Sequence, residues 1–264
     1  MTATALTAPR QLLGIDDLSA GDLDALLELA ALMKRHPLDW RSALEGRTIA
    51  CLFAQPGLRS RVSLEVAVNR LGALPVMLDD GHSIAETAHV LSTYCDAIAV
   101  STDRHRDLVA LADQASVPVI NALSDREDPF QALTDCLALR ERFGELAGLQ
   151  VAYIGAAEPV TRSLIEAATL SGITLRVAAP PELLPDAALR ASIRVCETPR
   201  EAVSGAVAVL AGRARRELED AYTLTPQLMA YAAPGAVVID EIPANLLAVE
   251  QAVLRTLVTG DWEV

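Results

Sequence analysis

Residues Phe53–Gly72, FAQPGLRSRVSLEVAVNRLG, decide how this chain is read. The apolar run Thr48–Ala54 has the character of a strand and ends at Pro56-Gly57, a pair suited to a tight turn. A helix begins near Ser60, with Val62, Val66 and Leu71 at roughly helical spacing. Arg59 and Arg61 stand where the turn becomes the helix. Backbone N–H groups without an intrahelical partner point outward at such a place, and the helix dipole favours an anion there. Strand, turn and Arg-bearing helix start make a cradle for a phosphate or carboxylate. The bland alternative is a solvated or salt-bridged arginine.

Working outward, short aliphatic strands are predicted at Thr48–Ala54, Leu74–Leu78, Ala97–Val100 and Val117–Asn121. Helical patterns lie between them at Ser60–Leu71, Ser83–Thr93 and His105–Gln114, after a first helix at Leu23–Met33 that Ser19 or Asp22 caps. This alternation implies a parallel, doubly wound α/β sheet. Pro129–Phe143 reads as a long helix, with Asp128-Pro129 as its cap and first residue. A second set follows at Gln150–Ile154, Val160–Leu170, Thr174–Ala179, Ile193–Cys196, Ala206–Leu210 and Ala236–Ile239, before a long amphipathic helix at Asn245–Val258. Two α/β domains dividing near Phe143–Leu146 are therefore expected.

Composition excludes several classes of function. The net charge of −13 argues against nucleic acid, and the basic cluster Arg213, Arg215, Arg216 runs at once into Glu217, Glu219 and Asp220. Charges break the apolar runs well short of a membrane span, and the first residues carry no secretory pattern, so the expected location is the cytoplasm. Cys51, Cys95, Cys136 and Cys196 are widely spaced within apolar strands or helices and read as buried free thiols. His36, His82, His89 and His105 do not fall at zinc-ligand spacings with them, so no metal is expected. Lys34, the single lysine, lies at the polar end of a helix, which argues against a Schiff-base cofactor. Tyr153–Ser163 joins a strand to a helix with one glycine where a dinucleotide site needs three. No cofactor is expected.

FAQPGLRSRVSLEVAVNRLGALPVML resembles the first signature of the aspartate/ornithine carbamoyltransferase family, whose phosphate loop reads Ser-Thr-Arg-Thr-Arg followed by Val-Ser-Phe-Glu. Ser83–Val100, Ala115–Gly144, Leu146–Gly172 and Asn245–Leu257 resemble the family in the same order. The resemblance implies two doubly wound parallel-sheet domains. Its last helix returns to the first, giving 1–143 plus 244–264 as the carbamoyl-phosphate-type domain and 144–243 as the amino-acid-type domain. It also implies a homo-oligomer, most simply a trimer assembled through the first domain. Arg59 and Ser60 match the family's phosphate ligands, and Arg61 an arginine that is largely structural there. Gly57 and Leu58 have lost two hydroxyls, and the arginine expected after the third strand falls at Ser101 or Thr102, with Arg104 nearby. The histidine that polarises the carbamoyl carbonyl falls at Asp128, whereas Pro129 and Gln131 are retained. The loop between Gly81 and Ser83 is shortened, and so is the loop near Ala211–Ala221. Replacements stand at Ala156–Glu158, and Ile239–Pro243 takes the place of the His-Cys-Leu-Pro segment.

These losses fall on ligand-facing loops while the scaffold is kept, which suggests altered chemistry on a retained fold. One expectation is a divergent enzyme for a small anionic or amino-acid-like ligand. Arg59, Ser60 and Arg61 would hold the anion, and Asp128 and Gln131 would face it as the catalytic pair. Asp128 would then act as a general base or cation ligand, unless it is simply a helix cap. His82 and Glu86 are weaker additions. A non-catalytic binding or assembly subunit is the alternative, and a working carbamoyltransferase is the third reading.

Overall fold

The computed structural model describes residues 11–54, 57–79, 81–212, 222–239 and 243–263. Asp80, most of the Ala211–Ala221 loop and Asp240–Ile242 lie outside the described residues. Helix α1 (Ala20–Arg35) starts at Ser19, whose Oγ accepts from the Asp22 N–H while the Asp22 carboxylate accepts from the Ser19 N–H. Strand β1 (Thr48–Phe53), buried along its length beyond Thr48, leads through the turn into α2 (Leu58–Arg70). Then come β2 (Leu74–Asp79), α3 (Ile84–Tyr94), β3 (Ala97–Ser101), α4 (His105–Ala112) and β4 (Val119–Leu123). The four strands form one parallel sheet in the order β2-β1-β3-β4, with Ile49 opposite both Pro75 and Ala97.

Helix α5 (Pro129–Phe143) carries the chain to the second sheet. That half comprises β5 (Gln150–Ile154), α6 (Pro159–Ser171), β6 (Thr174–Ala178), α7 (Ala187–Arg190), β7 (Arg194–Val195), α8 (Pro199–Val203), β8 (Ala208–Ala211), α9 (Pro226–Met229) and β9 (Val237–Ile239). Its strands are parallel in the order β7-β6-β5-β8-β9. The last helix, α10 (Pro243–Thr259), packs along α1, α2 and α5, so the chain ends against the first sheet's layer. Lys34 fixes it there. Its ammonium donates to both Glu141 oxygens, at 2.7 and 2.8 Å, and to the buried Asn245 Oδ1 at 2.6 Å. A buried cluster including Leu27, Leu64, Leu133, Leu164 and Val253 runs through α1, α2, α5, α6 and α10, so the two halves share apolar packing.

Several details differ from the sequence reading, among them the start of α2 at Leu58 rather than near Ser60. β4 lies two residues later than Val117–Asn121, because Pro118 cannot donate to a ladder and pairing starts at Val119. Cys95 and Cys196 sit just beyond α3 and β7 rather than inside them, although all four cysteines are buried and free. The short helices α7, α8 and α9 join strands between which the sequence reading gave no helix. Among the described residues, no helix is long and apolar enough to cross a membrane.

Candidate functional site

The two sheets open onto a common cleft of about 580 Å³. In the first sheet the winding direction reverses between β1 and β3, and in the second between β5 and β8. At such a switch point the connections leave in opposite directions, which opens a crevice beyond the carboxyl ends of the strands. Gly57, Arg59 and Ser60 follow β1 into this cleft, Ser101 and Thr102 end or follow β3, and Tyr153 lies on β5. Leu210, Ala211 and Gly212 close it from β8. The floor is narrow: a Cβ at Gly212 would lie 2.4 Å from the Tyr153 hydroxyl, which donates to the Ala156 carbonyl at 2.9 Å. Gly155, at φ +136°, approaches the Gly212 backbone so closely that its own Cβ would lie 3.1 Å from Cα of Gly212.

Four of the five residues expected at the site meet here. The Arg59 guanidinium donates to Gln131 Oε1 at 3.4 Å, and Gln131 Nε2 donates to Asp135 Oδ1 at 2.9 Å. Asp128 fills both of the roles set against each other. It caps α5, accepting from the Gln131 N–H at 3.2 Å, and it lines the cleft. Its own N–H donates to Ser163 Oγ at 3.0 Å, so α6 of the second half steadies the start of α5. Ser60 lies on the first turn of α2, whose cap is Gly57 with no side-chain bond.

Arg61 is not brought into this group. It pairs with Asp79 Oδ1 at 2.8 Å and lies over the Phe53 ring, 5.4 Å from its centroid. Arg104 does not replace the missing arginine either: it is 60% exposed, pairs with Asp107 at 2.7 Å and borders a neighbouring cavity together with His82. Glu86 lines a third hollow with Val90 and Tyr94.

Three cleft residues escaped the sequence reading. Asp103, Asp125 and Asp135 line it with Asp128 and with Glu158 of the replaced Ala156–Glu158 segment, and Arg59 is the single cation lining it among the described residues. A signal was present for Asp135, which stands four residues after Gln131 and so on the same helical face. No group of residues suited to holding a metal ion occurs among the described residues.

Residues 10–141 match the family model described as "Aspartate/ornithine carbamoyltransferase, carbamoyl-P binding domain". An ornithine carbamoyltransferase of Thermus thermophilus is 42% identical over 218 residues, covering 79% of this chain and 72% of the relative. One from Rhodopseudomonas palustris is 35% identical, over 90% of this chain and 86% of its own length. Among solved structures, the ornithine carbamoyltransferases of Thermus thermophilus and Pyrococcus furiosus superpose with TM-scores of 0.88 and 0.87. They are 35% and 31% identical, each over 96% of this chain and 100% and 98% of the other. Sheet order, the cleft at the paired switch points and these likenesses agree: the chain belongs to the aspartate/ornithine carbamoyltransferase family.

Proposed function

We propose that the cleft binds a small ligand with an oxyanion at Arg59 and Ser60 and an ammonium group towards its carboxylates, and that ornithine or aspartate is not carbamoylated at a useful rate. The observation that carries this reading is Asp128, which lines the cleft where the family resemblance implies an imidazole. Negative charge develops on the carbamoyl oxygen during transfer. A carboxylate beside it repels that charge, whereas an imidazole donates to it. Losing one such donor typically costs about 3–4 kcal/mol, or 10²–10³ in rate. Ser101 and Thr102 add to this, since neither supplies the charge of the arginine they replace. The acidic lining of Asp103, Asp125, Asp128, Asp135 and Glu158 suits the ammonium end of an amino-acid-like ligand whose oxyanion sits at Arg59 and Ser60.

A second reading, an ordinary ornithine carbamoyltransferase, is favoured by the 35–42% identity to relatives of that name. Assays of citrulline and carbamoyl-aspartate formation separate the two. Rates at least a thousandfold below an ordinary enzyme are expected, and ordinary turnover overturns the proposal. We further propose that the chain works in the cytoplasm as a homotrimer. Its domains would be 1–143 plus 244–264, and 144–243. Supporting the assembly, Leu74 on edge strand β2 and Val90 and Tyr94 on α3 leave apolar surface exposed in the first half.

A further inference from the structure

Adjoining the cleft at Arg59, Ser60, Asp128 and Gln131, between the first turn of α2 and α10, lies a chamber of about 20 Å³. That is room for one water-sized group. Arg59, Ser60, Asp128, Gln131 and Glu250 supply its polar walls. Glu250 is 2% exposed. Its Oε1 accepts from Ser63 Oγ at 2.8 Å, and its Oε2 is buried with no hydrogen-bond partner among the described residues. A carboxylate in that position has lost water without replacing it, so the neutral acid is the favoured form.

The surrounding charges agree. Burial pushes Glu250 up to about 8; the Ser63 bond and Arg59 on α2 oppose this, and Asp128 before α5 adds to it. Cys51 on β1 faces the same carboxyl, and its thiol is pushed up to about 12 by burial, then by Glu250 and by Glu65 of α2. From α1, Lys34 is engaged with Glu141 and Asn245 near the start of α10. At neutral pH Glu250 therefore carries a proton, and with Oε1 engaged as an acceptor that proton sits on Oε2.

We propose that Glu250, as the neutral acid, donates a hydrogen bond to an oxyanion seated at the first turn of α2, one oxygen of which enters the chamber beside Arg59. This rests on the reading that an oxyanion binds at Arg59 and Ser60. Below about pH 8 the proton is already in place, and above it the site takes its anion together with a proton. With Glu250 ionised, the same oxygen meets a second negative charge instead of a donor.

Sulfate is the probe, because it does not titrate in the relevant range. Its binding is measured calorimetrically from pH 6.5 to 9.5 for the wild type, Glu250→Gln and Arg59→Ala. Wild-type affinity should fall about tenfold per pH unit above pH 8. Glu250→Gln, whose amide donates at every pH, should bind with a nearly flat profile, and Arg59→Ala should not bind. A flat wild-type profile, or an unchanged slope in Glu250→Gln, overturns the role of Glu250 while leaving the anion site standing. Should Glu250→Gln not fold, the wild-type slope decides. Absence of sulfate binding by the wild type at any pH overturns the anion reading itself.

Discussion

Arg162 is the residue whose loss should damage this molecule most visibly. It stands on α6 of the second half and reaches Glu127, just before α5. The Glu127 side chain is 2% exposed. It accepts from Arg162 Nε on one oxygen and from Ser163 Oγ at 2.5 Å on the other. The same guanidinium lies 3.2 Å from Glu166, whose second oxygen is buried without a hydrogen-bond partner among the described residues. Burial raises Glu127 above the usual carboxylate range even against the bonds from Ser163 and Arg162. Burial, followed by repulsion from Glu127 and Asp16, pushes Glu166 up to about 7. One cation therefore holds a buried and a partly buried carboxylate. Arg162→Met keeps the apolar stem and removes the charge, leaving Glu127 only the half-exposed Arg126 at 3.8 Å. Breaking a buried pair in this way costs about 3–5 kcal/mol.

The sign of the pH effect follows. Both carboxyls would titrate still higher in the folded variant, so the folded form binds more protons than the unfolded chain above about pH 4.5, and stability falls as pH rises. Urea unfolding should show the full loss at pH 8 and a much smaller one at pH 5, where both groups can be neutral. At pH 5, where Glu166 can be neutral, the double variant Glu127→Leu/Arg162→Met should lie within about 1 kcal/mol of the wild type, because the pair offsets its own burial cost poorly. A loss under about 1 kcal/mol at pH 8, or an equal loss at both pH values, refutes the reasoning.

Three further outcomes are expected. Gly212→Ala places a methyl 2.4 Å from the Tyr153 hydroxyl and should destabilise the fold by about 1–3 kcal/mol; a melting temperature unchanged within error would count against the narrow floor. Wild-type stability should decline between pH 5 and pH 8, since Glu166 and Glu250 both hold protons in the folded state that the unfolded chain has released. A rise over that interval would mean these carboxyls are not buried as described. Light scattering at micromolar concentration should give three times the 28.0 kDa chain mass, and the mass of a single chain would reject the trimer.

The scaffold was legible where a boundary carries its own chemistry. Pro129–Phe143 matches α5 at both ends because Asp128-Pro129 opens it and Gly144, at φ +83°, stops it. β4 was misplaced because Val117, Val119 and Ile120 are equally strand-like, and register is settled by Val119 facing Ile98 on β3. The helices α7 to α9 have four or five residues, too few to show a period, although Thr198-Pro199 and Thr225-Pro226 were start signals. At the anion cradle, the two arginines could have been told apart. Residues two apart on a helix point about 200° away from each other, so Arg59 and Arg61 cannot both face one cleft. Glu250 was not legible in that way. A charged residue on an amphipathic helix reads as solvent-facing until it is known that α1, α2 and α5 surround that helix.

Asp128 shows why residue identity and residue role must be argued separately. The sequence reading set cap against cleft, yet the side chain that accepts from the Gln131 N–H also lines the cleft, because α5 starts where the β4 connection opens into it. Replacing a capping aspartate typically costs a helix about 1 kcal/mol. Here the cap also orients Gln131, which receives Arg59 and donates to Asp135. The start of α5, held from the second half through Ser163, is thus built around a carboxylate. Arg59, Asp128, Gln131, Asp135 and Ser163 form one bonded arrangement joining α2, α5 and α6, so a substitution at position 128 is felt at Gln131 and Arg59 as well as in the cleft.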